Sequence, residues 1–116
     1  MKNNAYILDW TMDDYEGLKT KLTDDGFSFE NDEGGKNHIR VTVPYDRIDD
    51  FTVICQQHLN KEVNYVDAQF PEEKKTAVIF QNERFIIENE EQDKKVKTWA
   101  IDKGLPAQQA DWGTSF

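Results

Sequence analysis

The chain has 116 residues, a charged fraction of 32% and a net charge of −9 at pH 7. That length suits one domain with one proper hydrophobic core. The acidity is distributed, with twelve acids against six bases in residues 1–60 and eleven against eight in residues 61–116, so nucleic-acid phosphates and anionic membranes should be repelled and a basic protein surface favoured.

In chain order, Ala5-Tyr6-Ile7-Leu8-Asp9-Trp10 opens as a β-rich run. Thr11 reads as the N-cap of a first helix, with Asp14 three residues on and Trp10 and Tyr15 at the positions of a hydrophobic staple. Met12, Tyr15, Leu18 and Leu22 recur at helical spacing and Gly26 is the expected stop. Residues 27–30 and 38–43 alternate polar and apolar around Glu33-Gly34-Gly35-Lys36, the pattern of a hairpin. After Pro44, Asp46 is the expected cap of a second helix whose apolar face is Ile48, Phe51, Cys55 and Leu59. Val63 to Phe70 reads as a strand ended by Pro71, followed by strands at 76–80 and 84–87. Asn89 caps a third helix with Gln92 three positions on, and Gly104-Leu105-Pro106 ends it. A further helical turn is expected between Pro106 and Ala110.

The element order is β-α-β-β-α-β-β-β-α, and its first six members match the split βαβ order of a ferredoxin-like domain. The expected fold is therefore α+β, with a mostly antiparallel sheet, a ferredoxin-like β-α-β-β-α-β core over which the first two helices share one face, and a C-terminal β-β-α extension, all in one domain spanning residues 1–116. The strands at 76–80 and 84–87 are apolar on both faces, so something must cover the second face. The third helix, with Val96, Trp99 and Ala100, is the nearest cover, and a dimer partner is the alternative.

Catalytic and metal signatures fail one by one. Cys55 precedes His58 by three residues, a spacing that brings helical neighbours together, but Cys55 lies on the apolar face, where cysteine acts as a small hydrophobe. Ser28 and Ser115 sit in no nucleophile turn. His38, Cys55 and His58 have no ligand spacing, and residues 31–35 lack the ligand positions of a calcium loop. No phosphate loop or dinucleotide fingerprint occurs. Carboxylate pairs such as Asp24-Asp25 are expected by number alone among twenty-three acids. No catalytic role and no cofactor are expected.

Binding surfaces remain. Candidate protein-binding residues are Asp13, Asp14, Asp49 and Asp50 at helix starts, with Glu90 and Glu91 in the same role, although acids there also stabilise the helix dipole. The C-terminal Asp111, Trp112 and Phe116 form a second candidate, since an aromatic tail either packs on its own sheet or anchors to a neighbour. Two functional readings follow. One is a non-catalytic interaction module, an adaptor, inhibitor or immunity-type protein, binding a basic protein. The other is a dimeric small-molecule-sensing regulatory domain of ferredoxin-like type. A lone cysteine and no apolar N-terminal leader make the cytoplasm the expected compartment, with the chain a monomer or homodimer.

Overall fold

The computed structural model describes residues 3–31 and 38–116, so the expected turn at 33–36 lies outside the described residues. Among the described residues, six strands form one antiparallel sheet: β1 Asn4–Leu8, β2 Ser28–Asn31, β3 His38–Thr42, β4 Tyr65–Phe70, β5 Lys75–Phe80 and β6 Arg84–Ile87. Their spatial order is β2-β3-β1-β4-β5-β6. Three α-helices are described: α1 Tyr15–Asp24, α2 Ile48–His58 and α3 Glu90–Asp102. The α+β class and the antiparallel sheet are as expected. None of the described helices is long and apolar enough to cross a membrane.

Several local expectations need correction. The cap of α1 is Asp14, not Thr11. Asp14 adopts a left-handed backbone, φ 49°, which Asp tolerates better than most residues, and its carboxylate accepts from the Gly17 amide at 3.2 Å. Thr11 instead ends a 3-10 turn, Asp9–Thr11, and its hydroxyl donates to the Leu8 carbonyl at 2.7 Å. Trp10 belongs to that turn and is 58% exposed, so it does not staple the helix entry. Asp46 likewise sits inside a 3-10 turn, Tyr45–Arg47, and α2 starts at Ile48 without a side-chain cap. Tertiary contacts hold that start: Arg47 donates to the Asp25 carbonyl at 2.7 Å and lies 4.2 Å from the Phe27 ring centroid. Strand β4 begins at Tyr65 rather than Val63, because Asn64 closes a turn on the Lys61 carbonyl and donates to Asn60.

Other terminal signals behave as read. Asn89 accepts from the Gln92 amide at 2.9 Å, and the Gln92 side chain reaches back to the Glu88 amide. Both α1 and α3 close with paired bonds that satisfy their last carbonyls: Phe27 to Leu22 and Gly26 to Thr23, then Leu105 to Ala100 and Gly104 to Ile101. Positive φ at Gly26 and Gly104 makes these closures possible. Ala107–Gln109 adds the expected last turn, as a 3-10 helix.

The pleat sends alternate residues into two clusters. Ala5, Ile7, Ile39, Val41, Val66, Ala68, Ala77 and Ile79 face α1 and α2, where Leu18, Leu22, Phe51, Ile54 and Cys55 meet them. On the other face, Val78, Phe80 and Ile87 pack with Val96 and Ala100 of α3 and with Leu105 and Trp112. The second face of β5 and β6 is therefore covered within the chain, by α3 and the segment after it. Phe80 is central there, with ring centroids of Trp99 at 4.9 Å, Tyr65 at 5.9 Å, Phe85 at 6.1 Å and Trp112 at 6.2 Å.

Candidate functional site

The cover stops at β4. Beyond it, no described residue of β1 or β3 belongs to the cluster built on α3, and Tyr6, paired with Arg40 on one side and Asp67 on the other, is 42% exposed. Between this free face and the segment after α3 runs a groove of about 350 Å³. Tyr6, Trp10, Tyr65, Asp67, Gln109 and Asp111 give it its chemistry. Among the described residues, no lysine, arginine or histidine lines it.

Each wall has a physical support. Trp10 is held from behind: its carbonyl accepts from the Asn60 side chain at 3.0 Å, and the Thr11 carbonyl accepts from the Asn60 amide at 3.0 Å. The Tyr65 hydroxyl donates toward the Gln109 carbonyl at 2.7 Å and lies 3.1 Å from Asp111 Oδ1, bracing the far wall. That wall is tied down by Trp112, which is 4% exposed and donates through Nε1 to Asp93 at 2.7 Å. Asp93 is in turn paired with Lys97 at 2.9 Å. Gln69 clamps the tail further along, donating to the Gly113 carbonyl at 2.9 Å and accepting from the Thr76 and Ser115 hydroxyls.

Asp67 forms the floor. Its Oδ2 accepts from Gln69 at 2.9 Å. Burial pushes its carboxyl above the ordinary 3.8, the neighbouring charge of Asp111 adds to the rise, and the Gln69 hydrogen bond opposes it. Burial, then Asp111, also raises the Tyr65 phenol. Neither Asp67 nor Asp111 is in an ion pair among the described residues, whereas Asp49, Asp50, Glu91 and Asp93 all are. The groove thus holds two carboxylates that form no ion pair among the described residues, beside two exposed aromatic rings, one of which, Tyr6, is hydrogen-bonded to Arg40 outside the lining.

The sequence-derived candidates scatter. Helices α1 and α2 are antiparallel, since the Asp13 amide donates to the His58 carbonyl while Arg47 reaches Asp25. Asp13 and Asp14 therefore lie at the opposite end of the helical layer from Asp49 and Asp50. Asp14 is engaged as a cap, Asp50 pairs with Arg47 and Asp49 with Arg84. Glu90 and Glu91 are exposed at the start of α3. Of the tail residues, Trp112 is built into the second cluster, Phe116 is 39% exposed and Asp111 alone lines the groove. Tyr6, Trp10, Tyr65 and Asp67 are the residues that sequence reasoning missed. A signal existed: Tyr65, Asp67 and Gln69 occupy the polar phase of one strand, beside a strand whose matching phase carries Tyr6.

Cys55 and His58 do not form a reacting pair. Burial seals the Cys55 thiol and pushes its pKa up, and His58 Nδ1 donates to the Ile54 carbonyl at 2.9 Å. No group of three or more histidine, cysteine, aspartate or glutamate side chains able to hold a metal ion occurs among the described residues.

Compared with protein-family models, curated proteins and solved structures, the chain matches none.

Proposed function

We propose that this chain is a non-catalytic interaction module that docks a basic protein, using the groove between β1, β4 and the segment after α3 as its contact surface. One observation carries the reading: the groove sets Asp67 and Asp111 beside exposed Tyr6 and Trp10 with no basic side chain among its described lining. Aromatic rings next to a largely buried carboxylate, Asp67, and an exposed one, Asp111, favour cationic groups, and aromatic residues are typical interface anchors. Two unpaired carboxylates also disfavour phosphate, so nucleic acid and anionic lipid are not the proposed partners. The cytoplasm remains the proposed compartment, on the lone cysteine, which is free and buried.

A ferredoxin-like core belongs to the same proposal. Its support is the run β4-β1-β3-β2 within the sheet, antiparallel throughout, with α1 and α2 packed on one face. Strands β5 and β6 and helix α3 would then be an extension at one edge. The alternative of a dimeric small-molecule sensor drew on the ferredoxin-like order and on an apolar face that α3 occupies, and keeps the strand order and the groove volume in its favour.

Binding of a fluorescently labelled decapeptide of mixed arginine and lysine, measured by anisotropy beside an all-acidic decapeptide, tests the reading. The basic probe should bind at low salt and weaken as salt screens the contact, with no binding of the acidic one. Equal binding of both, or none of either, overturns it.

A further inference from the structure

Resting on that reading, we propose that the groove receives a single arginine side chain of the partner, with its guanidinium held between Asp67 and Asp111 and flanked by Trp10. Charge sets the sign of the occupant. Both carboxylates contribute to the lining, Asp67 accepts from Gln69 and from a backbone amide, Asp111 lies 3.1 Å from the Tyr65 hydroxyl, and neither is in an ion pair among the described residues. A cation placed between them would relieve their mutual repulsion and supply the missing donors. Size suits a side chain: about 350 Å³ is at the low end for a ligand site and too small for a helix.

Ring chemistry favours arginine over lysine. Trp10 is 58% exposed and Tyr6 42%, the former more than any other large hydrophobic residue described. A planar guanidinium stacks on an aromatic face and is more weakly hydrated than an ammonium, so entering a half-enclosed groove costs it less. Its fork of N–H groups can also serve two acceptors at once, which a point charge does less well. The walls are braced in advance: Tyr65 fixes Asp111, Gln69 fixes Asp67 and Asn60 fixes the Trp10 turn, so little ordering is needed on binding.

The test is a ¹⁵N NMR titration of the full chain with acetyl-Gly-Arg-Gly-amide, and with the same tripeptide carrying citrulline or lysine. The arginine peptide should shift the amides of Tyr6, Asn64, Asp67 and Gln109 and the Trp10 indole. Citrulline, its neutral isostere, should shift none of them, and lysine should bind several-fold more weakly. Asp67→Asn and Asp111→Asn should each weaken arginine binding about tenfold, the equivalent of roughly 1.4 kcal/mol, whereas Asp49→Asn should leave it unchanged. Shifts confined to the helix starts, equal response to citrulline, or lysine binding as tightly as arginine overturn the assignment. If the basic decapeptide binds but the arginine tripeptide leaves the groove unmoved, the arginine assignment falls while the interaction reading stands. If neither binds, both fall.

Discussion

Asp67 is a carboxylate kept where a neutral side chain would be more stable. Its folded-state pKa is raised by burial first and by Asp111 second. A raised carboxyl binds its proton more tightly in the folded chain than in the unfolded one. Its destabilising effect is therefore absent well below 3.8 and grows as pH rises through the interval up to the folded value. Asp67→Asn should raise the thermal midpoint at pH 7 relative to wild type, and that gain should shrink or vanish at pH 3. A deficit of equal size at both pH values would mean that the carboxylate is not under this strain. A variant that gains stability while losing arginine binding is the pattern expected where function holds an unfavourable group in place. Cys55 makes the opposite case, a reactive residue type made inert by packing. Its thiol is fully buried and its pKa is pushed up by that burial. Modification by a thiol reagent at pH 8 should proceed no faster than global unfolding, and stoichiometric labelling within minutes under native conditions would contradict the packing described.

The closure of α3 matters for the groove because Leu105 and the residues after it build one wall. Gly104 has φ +114°, and a Cβ added there would meet nothing within 4 Å, so any cost of Gly104→Ala is backbone strain alone. We expect a loss of about 1–2 kcal/mol in urea unfolding. Gly113→Ala is the control: a Cβ added at that position would make only an ordinary 3.8 Å contact with Gln69, and the effect should be small. If the two variants lose the same stability, the left-handed closure is not what Gly104 supplies. Helix stops at Gly26 and Gly104 and the cap at Asn89 were legible from sequence, because each is decided within a few residues. The caps at Thr11 and Asp46 were misread for the complementary reason. Asp14 won locally by entering the left-handed region, and the start of α2 is set by Arg47 reaching across to Asp25 and Phe27, contacts that no local pattern encodes.

Across the molecule, two hydrophobic clusters share β5 as a common wall: Ala77 and Ile79 belong to one, Val78 and Phe80 to the other. Loss of packing on either side should therefore destabilise the same sheet. Leu22→Ala, in the first cluster, should cost about 2–5 kcal/mol, and Phe80→Ala, in the second, about 3–5 kcal/mol. In both variants, tryptophan fluorescence and far-UV circular dichroism should report one coincident transition. Trp99 and Trp112 lie in or against the second cluster, so a fluorescence transition that precedes the loss of ellipticity would show that α3 and the tail come off separately. The same sharing places the groove: the cover supplied by α3 and residues 105–116 ends at β4, and the site lies at that boundary.

Residue pattern by itself determined the strands and helices to within a few positions, the double apolarity of β5 and the burial of Cys55 on the apolar face of α2. Side-chain direction in a strand and burial on a helix face are properties of near neighbours, and periodicity records them. Tertiary structure alone decided that α3 covers β5 and β6, that Asp13 and Asp14 lie opposite Asp49 and Asp50, and that Asp67 and Asp111 share a groove with Tyr6 and Trp10. Those outcomes depend on strand order and helix direction, which join residues far apart in the chain, and no short-range preference carries that information.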